Sequence, residues 1–162
     1  VAERVRTAVA EREFDMGTQQ ALAVTVSVGV ALNESETDTP EMILIEKVRA
    51  LCQSMDKYKD IVTSARPKER ARDFYDIWMI TKHFTKLNLT SDLLRNIFGA
   101  KRVPLSFLKD FESLRERNRS NWDVVRQTIH SNEELHDYDY YFDFVKELIV
   151  PFTNLSDNTG SN

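Results

Sequence analysis

The sequence predicts a mainly α-helical fold, a bundle of about six helices, with a short helix and one β-strand ahead of it. Three observations carry this. Apolar residues recur at three- and four-residue spacing through most of residues 39–152, the period of amphipathic helices. Helix-start and helix-stop signals punctuate that stretch at short intervals. Residues 22–31 instead alternate, with Leu22, Val24, Val26, Val28 and Val30 on one face, the period of a half-buried strand.

Ala2, Val5, Ala8 and Val9 predict a short helix over 2–13, which Gly17 ends. The polar, acidic run from Asn33 to Asp38 marks the main boundary. Domain organisation is thus expected as a helix–strand piece at 1–38, a helical domain at 39–152 and a disordered tail at 153–162. Thr39-Pro40-Glu41 opens the first helix of the bundle: a capping hydroxyl, a proline at the first helical position and an acid at the positive end of the dipole. Leu44, Val48, Leu51 and Met55 form its stripe. Residues 57–68 read as a basic loop. A second helix is expected over 69–84 with Phe74, Ile77, Trp78 and Phe84 inward. A third is expected from Ser91 to Phe98, ended by Gly99. A fourth starts at Pro104 and buries Phe107, Leu108, Phe111 and Leu114. A fifth, capped by Ser120 or Asn121, carries Trp122, Val125 and Ile129. The last runs from about Glu133 to Val150 on Leu135, Tyr138, Phe142, Val145 and Ile149, and Pro151 stops it.

Composition narrows the class. The chain has 162 residues, 41% hydrophobic, 10% aromatic and 30% charged, enough for one core and too aromatic for wholesale disorder. No apolar run approaches the roughly 20 residues of a membrane helix, so no membrane partner is expected. One cysteine, Cys52, excludes an internal disulfide and points to a reducing cytoplasm. The chain begins at Val1 without a signal segment and reads as an internal fragment. The net charge of -4 conceals a net of +6 over residues 41–119, between segments of -4 and -6. A basic middle suits a polyanion. Pairing of the acidic end with the basic middle is the plainer expectation.

The chemistry concentrates in Glu46-Lys47 and in Arg70-Ala71-Arg72-Asp73-Phe74-Tyr75-Asp76. Asp73 and Asp76 share a helical face, and Arg72 can pair with Asp76 four residues on. The dipole alone favours two acids at a helix start. It does not account for Lys47, Arg66, Lys68, Arg70 and Arg72 around one helix N-terminus, an arrangement suited to phosphate. His83, His130 and His136 lack metal-ligand spacing, and no metal ligands are assigned. Asp137, Asp139 and Asp143, interleaved with aromatics, read as the solvated face of a helix start.

Glu46-Lys47-Val48-Arg49-Ala50-Leu51, followed by Arg70 to Asp76 and Trp78, resembles the C-terminal part of AbiEii-type nucleotidyltransferase toxins of abortive-infection and type IV toxin–antitoxin systems, over residues 41–152. The resemblance implies nucleotide-binding roles for Lys47 and Arg72, against the phosphates, and catalytic roles for Asp73 and Asp76, orienting or deprotonating the attacking group. It implies transfer of a nucleotide from an NTP to an acceptor such as tRNA, Mg2+ as the cofactor of the complete enzyme, and a cognate antitoxin. The basic segment 57–72 is where RNA would bind. Residues 1–32, with Val24-Thr25-Val26-Ser27-Val28-Gly29-Val30-Ala31, resemble a late piece of GGDEF diguanylate cyclases without the signature loop. The acid-bearing strand and phosphate-cradling turn of the AbiEii-type N-terminal half are absent from this sequence, so the chain alone is expected to be inactive. The alternatives are a non-catalytic helical module binding an antitoxin or RNA, and a degenerate cyclase fragment.

Overall fold

The computed structural model describes residues 38–129 and 135–156. The chain divides into two units, Val1–Asp38 and Thr39–Asn162, and the described helices all belong to the second. The helix expected over 2–13 and the strand over 22–31 lie outside the described residues. Among the described residues there is no strand, and the architecture is mainly helical: α1 (Pro40–Gln53), α2 (Ala71–His83), α3 (Ser91–Ala100), α4 (Arg115–Arg119), α5 (Trp122–Thr128) and α6 (Tyr138–Ile149). Short 3-10 segments at Asp56–Asp60, Leu105–Leu114 and Val150–Phe152 join or extend them.

α1 begins as its sequence dictates. Pro40 occupies the first helical position and the Thr39 hydroxyl accepts from the Met42 N–H at 3.3 Å, satisfying one of the donors every helix start leaves unpaired. α1 packs against α2 and α3, and α2 packs against α5 and α6. The core centres on Phe74 of α2, which is fully buried. Its ring lies 5.9 Å from Phe111, 5.4 Å from Tyr138 and 5.3 Å from Phe142, within the range where aromatic pairs gain beyond area burial. Leu44, Val48, Leu51, Met55, Ile77, Leu108, Leu114, Val125 and Val145 complete it.

Three expectations need correction. Residues 105–114 wind as 3-10 rather than α-helix, with Asp110 leaving helical geometry at φ -99° and ψ 18°; the tighter winding still buries Phe107, Leu108, Phe111 and Leu114. α6 starts at Tyr138, not Glu133, because the Asp137 side chain caps it by accepting from the Tyr140 N–H at 3.1 Å. Residues 130–134, which include His130 and Glu133, lie outside the described residues. Phe84 is exposed, beyond the end of α2. As expected, α6 ends just ahead of Pro151, which sits within a 3-10 turn followed by backbone hydrogen bonds from Thr153 and Leu155; residues 157–162 of the expected tail lie outside the described residues.

Gly99 also differs from expectation. It lies inside α3, and the left-handed residue that ends the helix is Arg102, at φ 53°. The Arg102 N–H donates to the Gly99 carbonyl and the Val103 N–H to the Phe98 carbonyl, each at 3.0 Å. This is a Schellman end with arginine where glycine is usual, and buried Val103 supplies its apolar contact. A Cβ added at Gly99 meets nothing within 4 Å. Gly99→Ala is therefore expected to stabilise the fold by about 0.5–1 kcal/mol. Arg102→Gly is expected to add about 1 kcal/mol by relieving the left-handed backbone. Urea unfolding midpoints check both, and a lower midpoint for either variant contradicts this account of the α3 end.

Candidate functional site

The site is built where the middle of α1 meets the first turns of α2. Spacing places Lys47 on the same side of α1 as the core, and only 8% of it is exposed. Its ammonium donates to Asp73 Oδ1 at 2.9 Å and to Asp76 Oδ2 at 2.8 Å. Asp73 Oδ2 accepts from Arg70 at 3.1 Å, and Asp76 Oδ1 from Arg72 Nε at 3.0 Å. All four carboxylate oxygens thus accept from a cation. The structure brings together all four sequence-predicted residues, Lys47, Arg72, Asp73 and Asp76, and adds Arg70. The five side chains sum to one excess positive charge.

Burial works to lower the Lys47 pKa, but the charges of Asp73 and Asp76 and their hydrogen bonds outweigh it. The net direction is upward from the ordinary 10.5. Two of the three ammonium donors are used on the acids, which leaves one for a further acceptor. Arg70 and Arg72 remain about a third exposed. Arg72 also donates to the Thr128 hydroxyl at 3.2 Å and lies 5.7 Å from the Tyr75 ring.

The start of α2 is set from a distance. Its N-cap residue, Arg70, makes no capping hydrogen bond with its side chain. Instead Asn118, fully buried on α4, accepts from the Arg70 backbone N–H at 2.6 Å and donates to the Leu114 carbonyl at 2.8 Å. Asn118 performs from another helix the task an acid three residues into a helix performs in a capping box. Sequence reasoning missed both Asn118 and Thr128: they are 48 and 56 residues from their partners, and no local pattern announces them.

The other sequence candidates sort differently. Arg66 and Lys68 are exposed and do not join the cluster. Asp139 and Asp143 are not simply solvated. Both accept from Arg115, at 2.7 and 2.6 Å, and Asp139 also from Arg119 at 2.6 Å. Hydrogen bonds from Arg115 and Arg119 hold the Asp139 carboxyl below its ordinary range. Glu112, bonded to Arg115 and Lys146, is lowered to about 2. Thus part of the basic middle is neutralised by the acidic C-terminal segment. Glu46 pairs with Arg49 on α1 at 2.7 Å. Burial raises the Cys52 thiol to about 12, so it is an inert core residue. His83 bonds the Met79 carbonyl at 2.8 Å.

The described residues do not fit a divalent cation. Among them, no three His, Cys, Asp or Glu side chains are grouped to hold one. Asp73 and Asp76 are instead surrounded by cations, each oxygen accepting from Lys47, Arg70 or Arg72. Also among them, no helix is long and apolar enough to cross a membrane.

Two outcomes follow. Asn118→Ala strands the Arg70 N–H and the Leu114 carbonyl, and is expected to cost about 2–4 kcal/mol by denaturant unfolding; a loss below 0.5 kcal/mol would contradict its trans-capping role. Because the folded Lys47 pKa lies above its unfolded value, its stabilisation is complete below pH 10.5 and drains away as pH rises through the folded value. The alkaline limb of a stability–pH curve should therefore be shallower in Lys47→Met than in the parent, and parallel limbs would contradict the buried bridge.

A profile of the family described as "Nucleotidyl transferase AbiEii toxin, Type IV TA system" matches residues 5–144. The match takes in α1 to α5 and the first half of α6, and reaches back through most of the segment that resembles a GGDEF piece. No curated protein and no solved structure matches the chain. The match spans most of the sequence, and the chain belongs to the AbiEii family of nucleotidyltransferase toxins of type IV toxin–antitoxin systems.

Proposed function

We propose that the helical unit is the phosphate-holding half of a nucleotidyltransferase site and that it turns over only with metal-bearing residues from elsewhere. The observation that carries this is the Lys47 ammonium, held between Asp73 and Asp76 at the start of α2 with Arg70 and Arg72 beside it. A helix N-terminus ringed by cations suits a triphosphate. In the reaction, a hydroxyl of the acceptor, such as the end of a tRNA, attacks the α-phosphorus of an NTP. The bond from that phosphorus to the bridging oxygen breaks, pyrophosphate leaves, and the hydroxyl proton passes to a base. Arg72 and the third donor of Lys47 would contact the phosphates. Asp73 and Asp76 act as positioning residues for Lys47, whose ammonium they hold between them. A cognate antitoxin opposes the activity, and the compartment is the cytoplasm.

A second reading has one observation of its own. Arg66 and Lys68 are exposed beside the cluster and are free to meet an RNA backbone. Binding of inorganic tripolyphosphate, followed by calorimetry, tests the first reading. Arg72→Gln should weaken it about tenfold, the loss of one charge-assisted contact. The purified chain with Mg2+ and labelled NTP should not label tRNA. Arg72-independent binding, or transfer by the chain alone, overturns the first reading. Salt-sensitive RNA binding lost in Arg66→Ala/Lys68→Ala, with no phosphate binding at Arg72, favours the second.

A further inference from the structure

The aromatic residues on α2 and α6 do more than fill the core. Tyr75 and Trp78 follow Arg72 at three-residue steps along α2, each next to the one before it. The Arg72 guanidinium lies 5.7 Å from the Tyr75 ring, and Tyr75 lies 5.9 Å from Trp78. Beyond Trp78 the rings reach the surface. His136 and Tyr140 lie against each other at 3.9 Å with planes 30° apart, and Trp78 meets them edge-on at 6.5 and 6.4 Å. Tyr140 is 43% exposed, one of few large apolar side chains in the described unit left so open. Lys82 lies 4.7 Å from the Trp78 ring centroid, so the accessible stacking surface is the His136–Tyr140 pair.

The ends of this stripe differ in kind. Arg70 and Arg72 with Lys47 stand at one end; at the other are open π-faces, with Lys82 set over Trp78. The rise of a helix puts Trp78 about 9 Å along the axis from Arg72. A mononucleotide triphosphate has that polarity: its charge is gathered at one end and its base is at the other. A nucleic-acid strand alternates phosphate and base, and would call for cations spread along the stripe.

We infer that His136 and Tyr140, backed by Trp78, form the nucleobase subsite for the nucleoside triphosphate whose phosphates meet Arg72. The inference rests on the triphosphate reading of the Lys47 cluster and adds where the base lies. Stacking on ring faces reads no base edges, so the subsite tolerates all four bases.

The full chain can be titrated with each of the four NTPs, with inorganic tripolyphosphate and with a single-stranded RNA hexamer. Affinity is read by calorimetry and the ring environment by tryptophan fluorescence. NTPs should change the emission and tripolyphosphate should not. Tyr140→Ala should weaken NTP binding about tenfold and leave tripolyphosphate binding unchanged. His136→Ala, checked for folding by circular dichroism, should do the same. Equal loss for both ligands, no loss for either, or dependence on Tyr140 for the hexamer alone overturns the inference. If tripolyphosphate binds through Arg72 but NTP binding ignores Tyr140 and His136, the phosphate reading stands and the base subsite falls. If NTPs bind through Tyr140 while tripolyphosphate does not bind, the triphosphate reading fails, and the subsite as stated fails with it.

Discussion

Two carboxylates buried beside one ammonium set the terms for the rest of this helical unit. Removing Lys47 from water is costly, and so is removing Asp76; each is tolerable only because the other is there. The bridge fixes the rotation of α1 relative to α2, since both acids must face α1 in the same turn. Arg70 and Arg72 then complete the carboxylates from the solvent side. A hydrophobic contact at this point would hold the helices together as well. It would not place three cations within reach of one spot on the surface.

The core is arranged to support that placement. Phe74 stands between Asp73 and Asp76 in sequence and points away from them, into Phe111, Tyr138 and Phe142. The same turns of α2 therefore carry the charged cluster on one side and the aromatic hub on the other. Asn118 fixes where α2 begins. At the far side of α6, Arg115 lies over the Phe142 ring at 4.0 Å while bonding Asp139 and Asp143. Positive charge is thus neutralised around α4 and α6, and left in excess at the start of α2.

Much of this was legible in the sequence, for a physical reason that also marks the limit. Helical period and capping chemistry are local, so Thr39-Pro40 and the apolar stripes of α1, α2 and α6 could be read directly. The Arg72–Asp76 pair is four residues apart and could be read too. Charge chemistry and the motif resemblance both put Lys47 near that helix start, but its bonds to Asp73 and Asp76, 26 and 29 residues away, could not be read from spacing. Where local rules compete, reading along the chain fails. Gly99 looked like a helix end, yet the stop falls at Arg102, where burial of Val103 against the α3 end decides the geometry. Residues 105–114 have a helical apolar pattern, but pattern alone does not separate 3-10 from α winding.

The surroundings of the two acids bear on their chemistry. By resemblance, Asp73 and Asp76 would orient or deprotonate the attacking group. Each oxygen accepts one charge-assisted hydrogen bond, among the strongest a protein makes, and keeps a second lone-pair direction. Dislodging Lys47 from the acids would leave a buried ammonium without its partners. In the proposed function the acids hold the lysine in place, and the lysine's third donor, with Arg72, is what would meet a phosphate.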